Sequence, residues 1–311
     1  MTAAELFVQN HNITRQSYAL LGEVISWNLP ENTVVSYADL KQALAVAGLD
    51  DKVAREMLPR HAFARAAKQL AQQRIIRCTE DKPHLMTFQF TKEFLDENAG
   101  RFQYQYETTL QLDKDTGQIT QPYLDTPELA GRALVTEAQR LLDKAKGERN
   151  TADITRYIMT LFTKQADLFP VRNAGGVYFV PEQHVDFVEK IERLLTQLNG
   201  AVTRFPVPAG TKQGNKSVRE AVQQGLQTLI DEHLKAVDEF GSDTRPSTIE
   251  RAARKIEEAK FKIESYAMYL EDESQKLNAS LAAVSVTLRQ KMEQVLAAKS
   301  STKVTAEGLL D

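Results

Sequence analysis

The residues able to make or break bonds are few and scattered. The five histidines, His11, His61, His84, His184 and His233, stand far apart, and none has the HExxH or Cys–His spacing that holds zinc. Cys78 is the one cysteine, so no internal disulfide can form. Its neighbours Ile75-Ile76-Arg77 mark it as a small buried hydrophobe with no base beside it. Glu182, Asp186, Glu189 and Glu192 recur along one helix surface. Paired carboxylates do acid–base work only in a pocket that tunes them apart, so these read as a solvated face. Gly210-Thr211-Lys212-Gln213-Gly214-Asn215-Lys216-Ser217 approaches a phosphate loop, but three residues, not four, separate its glycines, and Asn215 interrupts the Gly-Lys step. It reads instead as a flexible basic loop before a helix. Chemistry of this kind points to binding rather than catalysis: no enzyme, no cofactor and no metal are expected.

Cationic residues are better organised. Between Asp51 and Arg77 stand Lys52, Arg55, Arg60, Arg65, Lys68, Arg74 and Arg77, opposed only by Asp51 and Glu56, with Gln69, Gln72 and Gln73 among them. Such side chains contact phosphates and base edges. The whole chain carries a formal charge of -3, which suits one local site and not a protein that coats nucleic acid. Arg204, Lys212, Lys216 and Arg219 make a second cluster. Double-stranded DNA is therefore a candidate partner, with Arg60, Arg65, Lys68, Gln72, Arg74, Arg77, Lys212, Lys216 and Arg219 as the contacts. The same residue types also decorate solvated helix faces, so a purely protein-binding role stands beside it. Phe102, Tyr104 and Tyr106 alternate along a strand and could stack bases, although an aromatic row facing a core is the commoner arrangement.

The elements that would carry these residues are mostly helical. Apolar residues make up 42% of the chain and charged residues 26%, ordinary values for a soluble globular protein. No apolar run approaches the ~20 residues of a membrane span, and no secretory signal pattern opens the chain, so a cytoplasmic protein is expected. After a polar lead-in, Ile13, Tyr18, Leu20, Leu21, Val24 and Ile25 show helical spacing up to Pro30. Val34-Val35 is short and extended. Ser36 and Asp39 form a capping box for a helix that Gly48 ends. A third helix carries Phe63, Ala66, Ala67, Leu70 and Ala71 as its buried stripe. Two extended runs follow, Ile75–Cys78 and His84–Phe90. Helix, strand, helix, helix and ribbon, with Val-Val-Ser-Tyr-Ala-Asp-Leu opening the second helix, resembles a winged-helix domain over about the first 95 residues. That resemblance implies that the third helix reads a DNA groove while the ribbon touches its backbone.

Beyond Arg101 the period changes to two, predicting a long strand to Leu112, a turn at Asp113–Gly117 and a return strand. Helices follow over 129–146 and from Thr151. Val177–Val180 reads as a strand paired with another at 201–207. The phrase Arg-Asn-Ala-Gly-Gly-Val-Tyr-Phe-Val-Pro resembles one in a group of uncharacterised bacterial, archaeal and viral proteins, which implies a middle unit but no activity.

A helix over 218–240 precedes a rod that begins at Ser247. Ile249, Ala252, Ile256, Ala259, Ile263, Tyr266 and Leu270 make its apolar seam. Ile249, Ile256, Ile263, Tyr266 and Leu270 are the candidate partner or oligomer interface. A second stripe, Leu277 to Val295, is offset across Glu271–Gln275. With no Gly or Pro there, one continuous helix with a stutter is favoured over a corner. The expected architecture is mainly α within an α+β class: a winged-helix-like domain over 1–97, an α+β helix-and-hairpin module over 98–210, an antiparallel coiled-coil-like rod over 211–297 and a flexible tail over 298–311. The expected function is nucleic-acid-associated scaffolding, with the protein-only adaptor or structural subunit as its alternative. A homo-oligomer or protein partner through the long helices is expected, and no membrane.

Overall fold

The computed structural model describes residues 19–71, 74–96, 100–122, 128–172, 175–241 and 243–307, the side chains of 96, 128–131 and 296–307 excepted. The expected helical positions Ile13 and Tyr18 and the candidate contact Gln72 fall outside them. In chain order the first elements are β1 (Leu20–Asn28), β2 (Val34–Ser36), α1 (Tyr37–Val46), α2 (Pro59–Gln69), β3 (Arg74–Asp81), β4 (Leu85–Asp96), β5 (Arg101–Asp113) and β6 (Ile119–Thr120). Then come α3 (Glu128–Gly147), β7 (Glu148–Asn150), α4 (Thr151–Gln165), β8 (Phe169–Pro170), β9 (Tyr178–Pro181), α5 (Val185–Gln197) and β10 (Ala201–Pro208). The chain finishes with α6 (Lys212–Asp238), α7 (Pro246–Ser265), α8 (Ala267–Leu270) and α9 (Glu273–Glu307). The class is mixed α+β with long helices at the C-terminal end. Two compact units divide it: residues 1–28, 162–192 and 201–311 form a bundle unit, and 29–161 with 193–200 form a sheet unit.

In the bundle unit, β1 is the first departure from sequence expectation. Residues 20–28 form a strand where helical spacing predicted a helix, so the leading helix of the winged-helix order is missing from these positions. The sheet order is β10-β1-β9-β8, with β1 antiparallel to both β10 and β9. The two strands expected to pair, β9 and β10, are thus separated by β1. The cause is two-sided burial: Leu21 and Val24 pack on the helical core, while Ile25 is fully buried and Trp27 stacks on Phe162 and Tyr178. A strand covered on both faces loses its alternation and mimics a helix stripe.

Gly22 fixes this strand in place. Its φ is 149°, and a Cβ there would stand 2.1 Å from the Val180 carbonyl oxygen and 2.9 Å from the Phe179 ring. Gly22→Ala is expected to cost about 3 kcal/mol in urea unfolding, through steric displacement of β9 and backbone strain. A cost below about 1 kcal/mol would contradict this packing.

Helices α6, α7 and α9 share one core. Val218, Val222, Leu226 and Ile230 of α6 meet Ile249, Ile256 and Ile263 of α7, then Tyr266 and Leu270, and Leu277, Leu281, Val284 and Leu288 of α9. The five proposed interface residues, Ile249, Ile256, Ile263, Tyr266 and Leu270, are all at most 6% exposed inside this core. Their assignment to an oligomer interface is therefore corrected: the seam is spent within the chain. The segment at Glu271 is a corner and not a stutter, because Glu271 takes φ 49°, ψ -127° and ends α8 without any glycine. Gly225, in the middle of α6, faces the Phe169 ring, which an added Cβ would approach to 2.6 Å. Helix α9 runs on to Glu307, so the predicted tail from 298 begins as helix.

In the sheet unit, Ser36 caps α1 as expected: its Oγ accepts from the Asp39 amide at 3.0 Å and donates to the Asp39 carboxylate at 2.7 Å. Helix α2 buries Ala62, Phe63, Ala66 and Ala67 against the meander β3-β4-β5-β6 and α3. Small alanines allow that close approach, and Phe63 fills the space beneath them, edge-on to Phe88. β2 pairs with β7 and not with the ribbon. Arg149, on β7, is completely buried. Its guanidinium donates to the carbonyls of Lys146, Glu148 and Arg55 at 3.0, 2.8 and 3.0 Å and to the Tyr157 hydroxyl at 3.1 Å. It also lies 4.8 Å from the centre of the Tyr37 ring.

Candidate nucleic-acid interface

One-sided burial makes α2 the element most able to present side chains. Opposite its alanine face, Arg60, His61, Lys68 and Gln69 are exposed. Arg65 is not free with them. Its guanidinium makes a two-pronged pair with Asp153, both contacts at 2.8 Å, and Asp153 is 2% exposed. Asp153 also completes the N-terminal cap of α4, where Asn150 and Asp153 bond reciprocally. Burial would raise the Asp153 carboxyl, but Arg65 and the Asn150 amide outweigh it and hold it low. Arg65 is thus corrected from a phosphate contact to a tie between α2 and α4.

Arg74 is engaged too. Its Nε and Nη2 lie 2.5 and 2.9 Å from the Glu107 carboxylate. Arg77 is exposed, but cross-strand pairing sets it beside Gln89 on the outer face of the sheet, away from the face that packs on α2. The sequence therefore placed three cations together, Arg65, Arg74 and Arg77, that the fold assigns to different tasks. At the β3–β4 turn, Lys114 and, more weakly, the charge of Arg60 hold the Asp81 carboxyl low against burial, and Lys82 and His84 are exposed, each with a carboxylate partner, Glu80 and Asp115.

The second cluster belongs to the bundle unit. Residues 212–217 are not a loop: Thr211 caps α6, its Oγ1 accepting from the Gly214 amide at 3.2 Å, so the helix starts six residues earlier than expected. Lys212, Lys216 and Arg219 line an open groove at that helix start, together with Gln213 and Asn215. Arg219 pairs with Glu271, and Lys216 stands 3.8 Å from Glu220. Arg204 is removed from this group altogether. It is 5% exposed and held by Glu23 at 2.7 and 3.0 Å and by Glu192 at 2.8 Å.

The aromatic row also differs from expectation. Phe102 and Tyr104 are 60% and 58% exposed, and Tyr106 37%. A bulge lets Phe90 pair with Thr108 and Thr91 with Tyr106. The extra residue, Glu107, flips the phase of β5, so Leu110 and Leu112 face the core while the aromatics face outward. Period-two reading alone could not find it, since one inserted residue is invisible in the alternation.

A titratable cluster went unforeseen in the sequence. In the bundle unit, Asp167 accepts from the Tyr266 hydroxyl and pairs with Lys262. His184 lies 3.4 Å from Asp167 and 3.2 Å from the Tyr266 oxygen, and Gln183 donates to that oxygen at 3.0 Å. Burial would raise the Asp167 carboxyl, yet the bonds from His184, Lys262 and Tyr266 bring it down to about 2. Burial and the neighbouring carboxylate push the Tyr266 phenol up. The cluster is internally satisfied and ties the turn before β8 to α7. Because the folded value lies below the ordinary 3.8, its contribution is complete above about pH 4 and is lost as pH falls toward 2. Asp167→Asn is expected to flatten stability against pH in that window by about 2 kcal/mol in urea unfolding at stepped pH. An unchanged slope would contradict the assignment.

Among the described residues, no group of His, Cys, Asp and Glu could hold a metal ion, and no helix is long and apolar enough to cross a membrane. Fold and site together define an α+β protein in which a strand-built unit displays a cationic helix and a second unit closes a helical bundle on itself. Residues 20–301 match the model of DUF6744, a family of unknown function, and the chain belongs to that family. No curated protein and no solved structure matches it.

Proposed function

We propose that this chain is a non-enzymatic, nucleic-acid-associated scaffolding protein whose sheet unit contacts the backbone of double-stranded DNA. The observation that carries the reading is the one-sided helix Pro59–Gln69, with Ala62, Phe63, Ala66 and Ala67 buried and Arg60, His61, Lys68 and Gln69 exposed, followed directly by the β3–β4 ribbon. A helix followed by a ribbon, with α3 packed on α2, supports the winged-helix-like reading. Arg60 and Lys68 would meet phosphates, Gln69 a base edge or phosphate, and the turn at Lys82 the flanking backbone. The groove at Lys212, Lys216 and Arg219 is a second candidate phosphate contact. The winged-helix-like relation and the kinship of the Gly-Gly-Val-Tyr-Phe-Val-Pro phrase belong to this proposal, as does a cytoplasmic setting.

A protein-only adaptor is the second reading, favoured by the pairing of Arg65, Arg74 and Arg219 with carboxylates. Fluorescence anisotropy with a short labelled duplex separates the two. Arg60→Ala with Lys68→Ala should weaken binding about tenfold or more with an unchanged melting temperature, since both side chains are exposed. Equal affinity for the double variant and the parent would overturn the proposal.

A further inference from the structure

Beyond a short pairing with β6, β5 lies at the edge of its sheet among the described residues. β6 pairs with β5 only at Gln111 and Leu112, so among the described residues no strand lies against β5 from Arg101 to Glu107 on the side away from β4. That stretch has high strand propensity, no proline and charges only at its two ends, Arg101 and Glu107. Natural proteins blunt exposed edges with prolines, central lysines or short strands, because an open edge templates pairing with another chain. Here the edge is long, and its aromatics are displayed and not hidden.

We infer that β5 pairs with β5 of a second copy of this chain, antiparallel about a two-fold axis at Tyr104. The register follows from charge complementarity. Pairing about Tyr104 sets Arg101 of each copy opposite Glu107 of the other, Phe102 opposite Tyr106, and Tyr104 opposite itself. Shifting the two-fold axis to Phe102 or Tyr106 removes both ion pairs and sets Arg101 or Glu107 opposite a glutamine, Gln103 or Gln105. In the two-fold register both salt pairs form and the aromatics make cross-strand pairs on one face of a continued sheet. Glu107 already accepts from Arg74, but a carboxylate has room for a second donor on its remaining lone pairs. Tyr104 stands opposite Glu93 on the neighbouring strand, and that carboxylate pushes its phenol up. This inference is independent of nucleic-acid binding: a dimer indifferent to DNA would satisfy it.

The test is sedimentation equilibrium of the full chain. The parent protein is expected to be a dimer and Tyr104→Lys, which sets two ammonium groups at the axis, a monomer or a dimer at least tenfold weaker, with matching far-ultraviolet circular dichroism because the position is exposed. A parent that stays monomeric, or a Tyr104→Lys variant that dimerises as tightly, would overturn it. Register is read separately in a Cys78→Ala background: Tyr104→Cys should give a disulfide-linked dimer under mild oxidation, and Met268→Cys, which is 78% exposed in the bundle unit, should not. Equal crosslinking at both positions would refute the two-fold at Tyr104.

Discussion

Replacing Arg149 with alanine is expected to lower stability by about 4 kcal/mol, among the largest effects of any single substitution in the sheet unit. Among the described residues, none of the Arg149 side chain's hydrogen-bond partners is a carboxylate. It is held by the carbonyls of Lys146, Glu148 and Arg55 and the Tyr157 hydroxyl, with Tyr37 beneath its plane. Lys146 and Glu148 sit where α3 ends, so the guanidinium satisfies carbonyls that a helix terminus leaves open. Arg55 precedes α2, so the same group also fixes the loop that delivers the cationic helix. Truncation strands buried acceptors at roughly 1–3 kcal/mol each and opens a cavity, partly relieved by entering water. Arg149→Lys should recover little, because an ammonium cannot span the same carbonyls with its three donors. Urea unfolding measures both, and a loss below about 1 kcal/mol for alanine would contradict the role.

A comparable loss, about 3–5 kcal/mol, is expected for Glu23→Ala in the bundle unit. Glu23 is fully buried, and removing it takes away both of its bonds to the Arg204 guanidinium, which is 5% exposed. Breaking a buried ion pair costs more than removing it whole. Glu23→Met combined with Arg204→Met is therefore expected to be more stable than Glu23→Ala alone, a sign that a double-mutant cycle reads directly. If the double variant were the least stable of the set, the pair would be contributing net attraction beyond its desolvation cost.

What the sequence made legible was periodic and local. The cap at Ser36, the strands at β3, β4 and β5, the turn at Asp113–Gly117 and the apolar stripes of α6, α7 and α9 all follow from spacing that a single element fixes. What it hid depended on a second element. The residues of β1 imitate a helix because both their faces are covered, and only the two flanking strands reveal that. Ile249, Ile256 and Ile263 read as an interface because a seam does not say whose helix fills it; the left-handed turn at Glu271 folds the answer into the same chain. Arg65, Arg74 and Arg204 read as free cations because Asp153, Glu107 and Glu23 lie 88, 33 and 181 positions away. Arg60 and Lys68, both exposed, are the cations of that helix that the described residues leave facing solvent.

The central claim, that the sheet unit meets a DNA backbone through that face, is tested most directly by the salt dependence of duplex binding. The logarithm of the association constant should fall linearly with the logarithm of salt concentration with a slope of about -2 to -3, as two or three phosphate contacts require, and Arg60→Ala with Lys68→Ala should remove about 2 of it. No binding at low salt, or a slope that the double variant leaves unchanged, would contradict the account.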